Sequence, residues 1–216
     1  MNATPLQARA LYEEVADRLR QRIFNRELPP GAWIDEMKIA QELGISRTPL
    51  REAIKVLAAE GLVTMKVRRG AYVTEVSSQD LREVYELLAL LEADAAEAVC
   101  WRATDEELTE LARLHAELEA AADHAQHGSR ERFFELNEAF HLRVLDLGGN
   151  RWRKQLVLDL RKVMKLHRHA SLAKEGRVAE SLAEHRAILQ ALQARDRQAA
   201  VDAVRRHFAN GLQAAI

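Results

Sequence analysis

The stretch LGISRTPLREAIKVLAAEGLV, residues 43–63, decides how the first part of this chain is read. Gly44 allows a tight turn, Ser46 is a good helix N-cap, and Pro49 falls in the first helical turn, where its missing N–H costs nothing. From there Leu50, Ala53, Ile54, Leu57 and Ala58 follow the i, i+3, i+4, i+7, i+8 spacing of a buried stripe. Arg47, Arg51 and Lys55 recur every four residues on another face, with Thr48 beside them. Gly61 ends the helix. The stretch therefore predicts a short helix that is apolar on one side and cationic on the other.

Its flanks give that helix a context. On the N-terminal side, Ile39 and Leu43 sit at i,i+4 in a helix predicted over residues 35–43. Before it, ELPPGAWI interrupts a first helix predicted over residues 5–25, whose Leu11, Val15, Leu19 and Ile23 lie one turn apart. On the C-terminal side, LVTMKVRRGAYVTEV places β-branched residues around an Arg-Arg-Gly turn, which predicts a hairpin. Helix, turn, basic helix and Arg-tipped hairpin, in that order, form a winged helix-turn-helix. The second helix of such a unit enters the DNA major groove, where a guanidinium offers two donors to guanine O6 and N7. Ser46, Arg47, Thr48 and Arg51 near its start are the candidate readers. Arg68 and Arg69 are the candidate wing contacts, with Gly70 permitting the turn between them and the return strand.

After Ser78 no strand signal appears. Six helices are predicted, over 79–101, 104–125, 130–147, 151–168, 177–194 and 197–213. Thr104 and Glu107 make a capping-box pattern, and Gly148-Gly149-Asn150 is a break. The expected organisation is a winged helix-turn-helix domain over residues 1–76 and an all-helical domain over 77–216. With 4 Pro, 9 Gly and 30% charged residues, the composition fits a mostly α fold. The formal net charge is only −1, so a nucleic-acid reading rests on where the charges sit rather than on their sum. A single cysteine excludes an intrachain disulfide framework. No apolar run is long enough for a bilayer, and no signal-peptide core is present, so a cytoplasmic location is expected.

A second constellation lies in the helical part. In FFELNEAFHLRVLDLGGN, Asn137 and His141 share the side of the helix marked by Phe133, Leu136, Phe140, Val144 and Leu147. His185 falls between Leu182 and Leu189, and His207 follows Val204 by three residues. Each of these polar groups points into a bundle, where an unpaired imidazole is costly. One such histidine is read as a hydrogen-bonded core residue. Three on separate helices, with Asn137 one turn from His141, favour convergence on a divalent metal ion such as Zn²⁺, Ni²⁺ or Mn²⁺. His115, His124, His127, His167 and His169 show no such pattern and are assigned to surface or packing.

Both halves carry a resemblance. LPPGAWIDEMKIAQELGISRTPLREAIKVLAAEGLV followed by RRGAYV resembles the N-terminal domain of the GntR superfamily of bacterial transcription regulators, and the SRTPLREA string is specific to it. The resemblance implies DNA contacts from Arg47, Thr48, Arg51 and the wing residues Arg68 to Gly70. Some members carry a further arginine early in the preceding helix; Met37 stands there in this chain. NEAFHLRVLDLGGN, SLAEHRAILQAL, RDRQAA and HFANGL resemble the all-helical FCD ligand-binding domain of the FadR-type branch. In its metal-binding members three histidines and an Asp or Asn hold a divalent ion, which corresponds here to His141, His185, His207 and Asn137. Members often bind effector through an arginine about four residues before a glutamate on the domain's first helix. In VYELLALLEADA that glutamate is Glu92 and the position is Leu88, so Leu88 is expected to line an apolar side of the effector pocket.

These readings predict a homodimeric transcription regulator, a repressor, that binds a palindromic operator in double-stranded DNA. It would sense a small-molecule effector, a carboxylate, at a metal-containing pocket. Two other readings compete. The metal ion could itself be the signal. Alternatively, three histidines with an open position could activate water in a metal-dependent hydrolase. Against the enzyme, no general base accompanies the histidines, and a DNA-reading module has no evident use in a hydrolase.

Overall fold

The computed structural model describes residues 11–125, 131–171 and 176–216. They form two compact units, residues 1–76 and 77–216, and no helix among the described residues is long and apolar enough to cross a membrane.

The first unit opens with α1 (Leu11–Phe24), which buries Val15, Ala16, Leu19 and Ile23; Leu11, expected on the same stripe, is half exposed. The predicted start of this helix at residue 5 lies outside the described residues. α2 (Glu36–Leu43) is capped by Asp35, whose carboxylate accepts from the backbone N–H groups of Met37 (3.0 Å) and Lys38 (3.1 Å). Gly44, at φ +64°, turns the chain into α3 (Arg47–Ala59). Ser46 holds the N-cap position of α3, but its side chain makes no capping hydrogen bond. Leu50, Ala53, Ile54 and Leu57 of α3 are buried and pack chiefly on α1. The Arg20 guanidinium reaches from α1 to Glu60 at the end of α3 through two hydrogen bonds of 3.0 and 2.9 Å.

β1 (Val63–Lys66) and β2 (Gly70–Val73) are antiparallel, with Lys66 opposite Gly70, so Val67, Arg68 and Arg69 form the tip. The segment after the two prolines runs along the other edge of β2. Trp33 bridges Tyr72, Ile34 N–H donates to Ala71 O at 2.9 Å, and Val73 N–H donates to Ala32 O at 2.9 Å. That strip ties the start of α2 to the wing.

The second unit is all helical: α4 (Ser78–Arg102), α5 (Asp105–Ala125), α6 (Glu131–Gly148), α7 (Arg151–Ser171), α8 (Arg177–Gln193) and α9 (Arg197–Ala215). Helix starts follow side-chain capping. Ser77 and Asp80 form a capping box, Thr104 and Glu107 bond each other's backbone N–H groups, and Asn150 and Asp196 cap α7 and α9. α4 is the central helix and packs most extensively on α9, then on α6 and α7. α8 lies against α9 and α5, and α5 against α6. Small residues on α4, namely Ala93, Ala95 and Ala96, are almost fully buried and let neighbouring helices approach.

Candidate functional site

The first candidate surface is the start of α3 and the tip of the hairpin. Ser46, Arg47, Thr48 and Arg51 are all exposed, as are Arg68 and Arg69. Arg68 takes a left-handed conformation (φ +60°), and Gly70 sits at φ +94° with the Trp33 indole nitrogen 3.1 Å from where a Cβ would stand. Glycine at 70 therefore serves both the turn and the indole packed against it. The cationic face of α3 is not simply solvated. Arg51 Nε donates to Glu36 Oε2 at 2.7 Å, and Arg47 Nη2 lies 3.5 Å from the same oxygen. Lys55 pairs with Glu52 at 2.8 Å. Sequence periodicity on α3 alone gave no sign of Glu36, because it lies on the preceding helix.

The second candidate site is a partly open cleft in the helical unit. Tyr85 of α4, Asn137 and His141 of α6, Arg161 of α7, Arg177 of α8 and His207 of α9 are among its lining residues. His141, His185 and His207 converge beside it. Their ring centroids form a near-equilateral triangle with sides of 4.9, 4.7 and 5.0 Å, and one nitrogen from each ring lies within 4.8 Å of the others. Phe140 stacks on His185 at 4.9 Å, and Phe208 packs against both other rings, which fixes the imidazole planes.

Two carboxylates set the tautomers. His141 Nδ1 is 2.6 Å from Glu92 Oε2, and His207 Nδ1 is 2.7 Å from Glu184 Oε2. Burial works to raise the Glu92 carboxyl, but Arg161 and His141 outweigh it and hold it down at about 2. For Glu184, burial is likewise outweighed by hydrogen bonds from His207 and Arg177, and its value falls to about 2. An ionised carboxylate only accepts, so both Nδ1 atoms carry the hydrogen and a neutral ring leaves Nε2 bare. Burial, with the Arg161 charge, pushes His141 down to about 4. Burial, with the neighbouring His207 and His141, pushes His185 well below the usual imidazole range.

His185 shows the strain of this arrangement. Its Nε2 is 3.2 Å from the bare Nε2 of His141, and its buried Nδ1 has no hydrogen-bond partner among the described residues. If Nε2 carries the hydrogen, Nδ1 is an unpartnered buried acceptor. If Nδ1 carries it, two lone pairs face each other. A cation accepting the lone pairs would remove that conflict, and neutral imidazoles anchored through Nδ1 to carboxylates are what metal-ligating histidines need. The donor set therefore fits a divalent metal.

The remaining site expectations divide. Asn137 is half-buried and lines the same cleft as His141 and His207. Leu88 does not line it: this side chain is fully buried in the core, and Tyr85, one turn earlier, is the α4 residue at the cleft. The cationic lining comes instead from Arg161 and Arg177. Arg161 donates to Glu92 Oε1 from Nε (2.9 Å) and Nη2 (2.6 Å), and Arg177 donates to both oxygens of Glu184 at 2.8 Å. Both arginines are almost fully buried, and two arginines with two glutamates make the shell electrically balanced. Sequence reading missed these four charges as site residues. His115 is buried against Phe140 at 5.9 Å, as a packing residue. The side chains of His124, His127, His167 and His169 lie outside the described residues.

Comparison with known proteins places both units. Residues 11–73 match the family described as bacterial regulatory proteins, gntR family, and residues 83–210 match the FCD domain. The HTH-type transcriptional regulator YdhC of Bacillus subtilis is 31% identical over 197 residues, which is 91% of this chain and 87% of that protein. The gluconate operon transcriptional repressor of Bacillus licheniformis is 25% identical, over 90% of this chain and 80% of its own length. Among solved structures, Escherichia coli McbR/YncC superposes with a TM-score of 0.79 at 22% identity, covering 96% of this chain and 98% of that one, a likeness of fold.

Proposed function

We propose a function for this chain from one premise: it belongs to the gntR family of bacterial regulatory proteins and carries an FCD domain. It is a transcription regulator rather than an enzyme, which sets the hydrolase reading aside. From that premise we propose that it is a homodimeric repressor whose helical unit binds a small carboxylate at a metal-containing pocket. One observation carries the pocket half of this reading: His141, His185 and His207 converge beside a cleft with two Nδ1 atoms anchored on carboxylates.

In this reading His141, His185 and His207 hold the ion, with Asn137 as an oxygen ligand. The ion supplies positive charge and open coordination positions to an acidic group. The protein does the rest. Glu92 and Glu184 orient two of the imidazoles. Arg161 and Arg177 carry donors at the cleft but are already neutralised by those glutamates, so they shape the site more than they charge it. Tyr85 and Phe208 supply its apolar wall. At the other unit, Arg47, Thr48 and Arg51 read bases, assisted by Ser46, while Arg68, Arg69 and the turn at Gly70 hold the adjacent groove. Two copies would read the two halves of a palindrome. The effector acts allosterically if it binds one arrangement of the dimer better than the other. Relatives named as repressors, one of a gluconate operon and one, a probable one, of a D-xylose utilization operon, support the sign of control.

The test is calorimetric titration of chelator-treated protein with Zn²⁺, Ni²⁺ and Mn²⁺. A panel of hydroxy acids, dicarboxylates and their uncharged alcohol analogues follows, with and without metal. One ion per chain is expected, with acids binding only the metal-loaded protein. A parent protein that takes up no divalent ion, or an alcohol that binds as well as its acid, refutes the reading. Operator release by metal alone, with no acid present, would instead make the ion the signal.

A further inference from the structure

The pairing of both reading arginines with one carboxylate is unexplained by folding. Glu36 opens α2, its side chain is 20% exposed, and its Oε2 accepts from Arg51 Nε while lying within 3.5 Å of Arg47 Nη2. The arginine side chains are 56% and 52% exposed. Ion pairs this exposed add little to stability. α2 is already capped by Asp35, and α3 is already held by its buried stripe on α1. The geometry, however, is selective. With Nε tied to Glu36, Arg51 keeps its two terminal nitrogens free, and those can meet the adjacent O6 and N7 acceptors of guanine together. An untethered arginine would lose more side-chain freedom on reaching a base and could equally well settle on a phosphate.

We propose that Glu36 is a specificity-determining residue: it orients Arg51, and steadies Arg47, for base reading, and it lowers the affinity of this surface for DNA of arbitrary sequence. The second effect follows from charge. Two guanidiniums and one carboxylate present a net single positive charge, and removing the acid returns the surface to two. The carboxylate thus trades general attraction for aim. This rests on α3 being the reading helix.

The test uses a pool of randomised duplexes, from which the bound fraction is recovered and sequenced. It is run on the parent, Glu36→Ala, Glu36→Asp, Glu36→Gln and Arg51→Ala, with affinity for the unselected pool measured in the same salt. The parent should recover a palindromic motif. Arg51→Ala marks the base pair that Arg51 reads. Glu36→Ala should lose about tenfold of preference at that same base pair while binding the unselected pool more tightly. Glu36→Asp keeps the charge but is one methylene too short, so it should lose the preference as Glu36→Ala does while binding the unselected pool as the parent does. Glu36→Gln keeps an acceptor at the right reach and should retain most of the preference. Matched thermal midpoints separate these effects from misfolding. The proposal is overturned if Glu36→Ala keeps the parent's motif and preference or binds the unselected pool no more tightly than the parent, or if Glu36→Asp keeps the parent's preference. It is also overturned if the preference is lost at a base pair other than the one Arg51 marks, since Glu36 would then read a base itself. A parent that recovers no motif removes the underlying assignment of α3.

Discussion

Glu92→Gln is the most informative single change in the helical unit. Glu92 is 2% exposed and accepts two hydrogen bonds from Arg161, itself 3% exposed, and one from His141. The glutamine keeps the volume and one acceptor but leaves the Arg161 guanidinium buried without a countercharge. Breaking a buried pair from one side costs about 3–5 kcal/mol. The amide oxygen can still take both N–H groups that Arg161 directs at Oε1, which puts the expectation near the lower end, about 3 kcal/mol, or roughly 10 °C in midpoint for a unit of this size. The amide nitrogen brings a second effect. It is a donor where the carboxylate accepted, so His141 must present a bare Nδ1 and move its hydrogen to Nε2, the atom that faces His185. Metal affinity should then fall about 10–100-fold. Both numbers are read on chelator-treated protein, by urea denaturation followed by circular dichroism and by Zn²⁺ calorimetry. The double change Glu92→Leu with Arg161→Met should recover most of the stability, because no charge is left buried, yet not the metal affinity, because His141 Nδ1 still lacks its acceptor. If Glu92→Gln unfolds within about 1 kcal/mol of the parent and binds Zn²⁺ equally well, the buried shell does not work as described.

Two further outcomes follow from the same structure. Metal-free protein should lose stability as pH falls below about 6.5, because unfolded histidines take up protons there while His141 (about 4) and His185 stay neutral in the folded unit. A second loss should begin as pH falls into the ordinary carboxylate range, where unfolded glutamates protonate while Glu92 and Glu184 hold out to about 2; a thermal midpoint that stays flat from about pH 8 to about pH 5 would count against neutral buried imidazoles. Arg51→Ala should weaken binding to the selected motif by about 1–3 kcal/mol, measured by fluorescence anisotropy, and an unchanged motif-to-random ratio would show that α3 is not the reader.

The readable parts of this fold are those written in local chemistry. The stripe of α3, the glycines at 44 and 61, the capping box at Thr104 and the break at Gly148-Gly149 each act within a few residues, so their spacing carries the element with it. Ser46 shows the limit of that reasoning. Its backbone takes the cap position because Gly44 and the apolar stripe fix the turn, and its hydroxyl contributes no bond there. Leu11 shows another: a helical period tells which residues share a face, but not where along the helix the neighbour ends.

The site divides along the same line. The three histidines were legible because each interrupts an apolar stripe on its own helix, and an imidazole there needs a partner. Their partners broke the same rule and could have been found by it. Glu92 continues the buried row Leu81, Tyr85, Leu88 on α4, and Arg161 continues Arg153 and Val157 at four-residue spacing on α7. What no single helix discloses is the cross-pairing, since Glu92 meets a ring 49 residues away and a guanidinium 69 residues away. That cross-pairing also changes the meaning of Leu88. Its place on α4 invites the conclusion that the pocket lacks an arginine, yet two arginines reach the cleft from α7 and α8. Each arrives with its own glutamate, so they add donors without adding net charge. An acidic effector would therefore depend on the ion for its attraction and on Arg161 and Arg177 for its orientation.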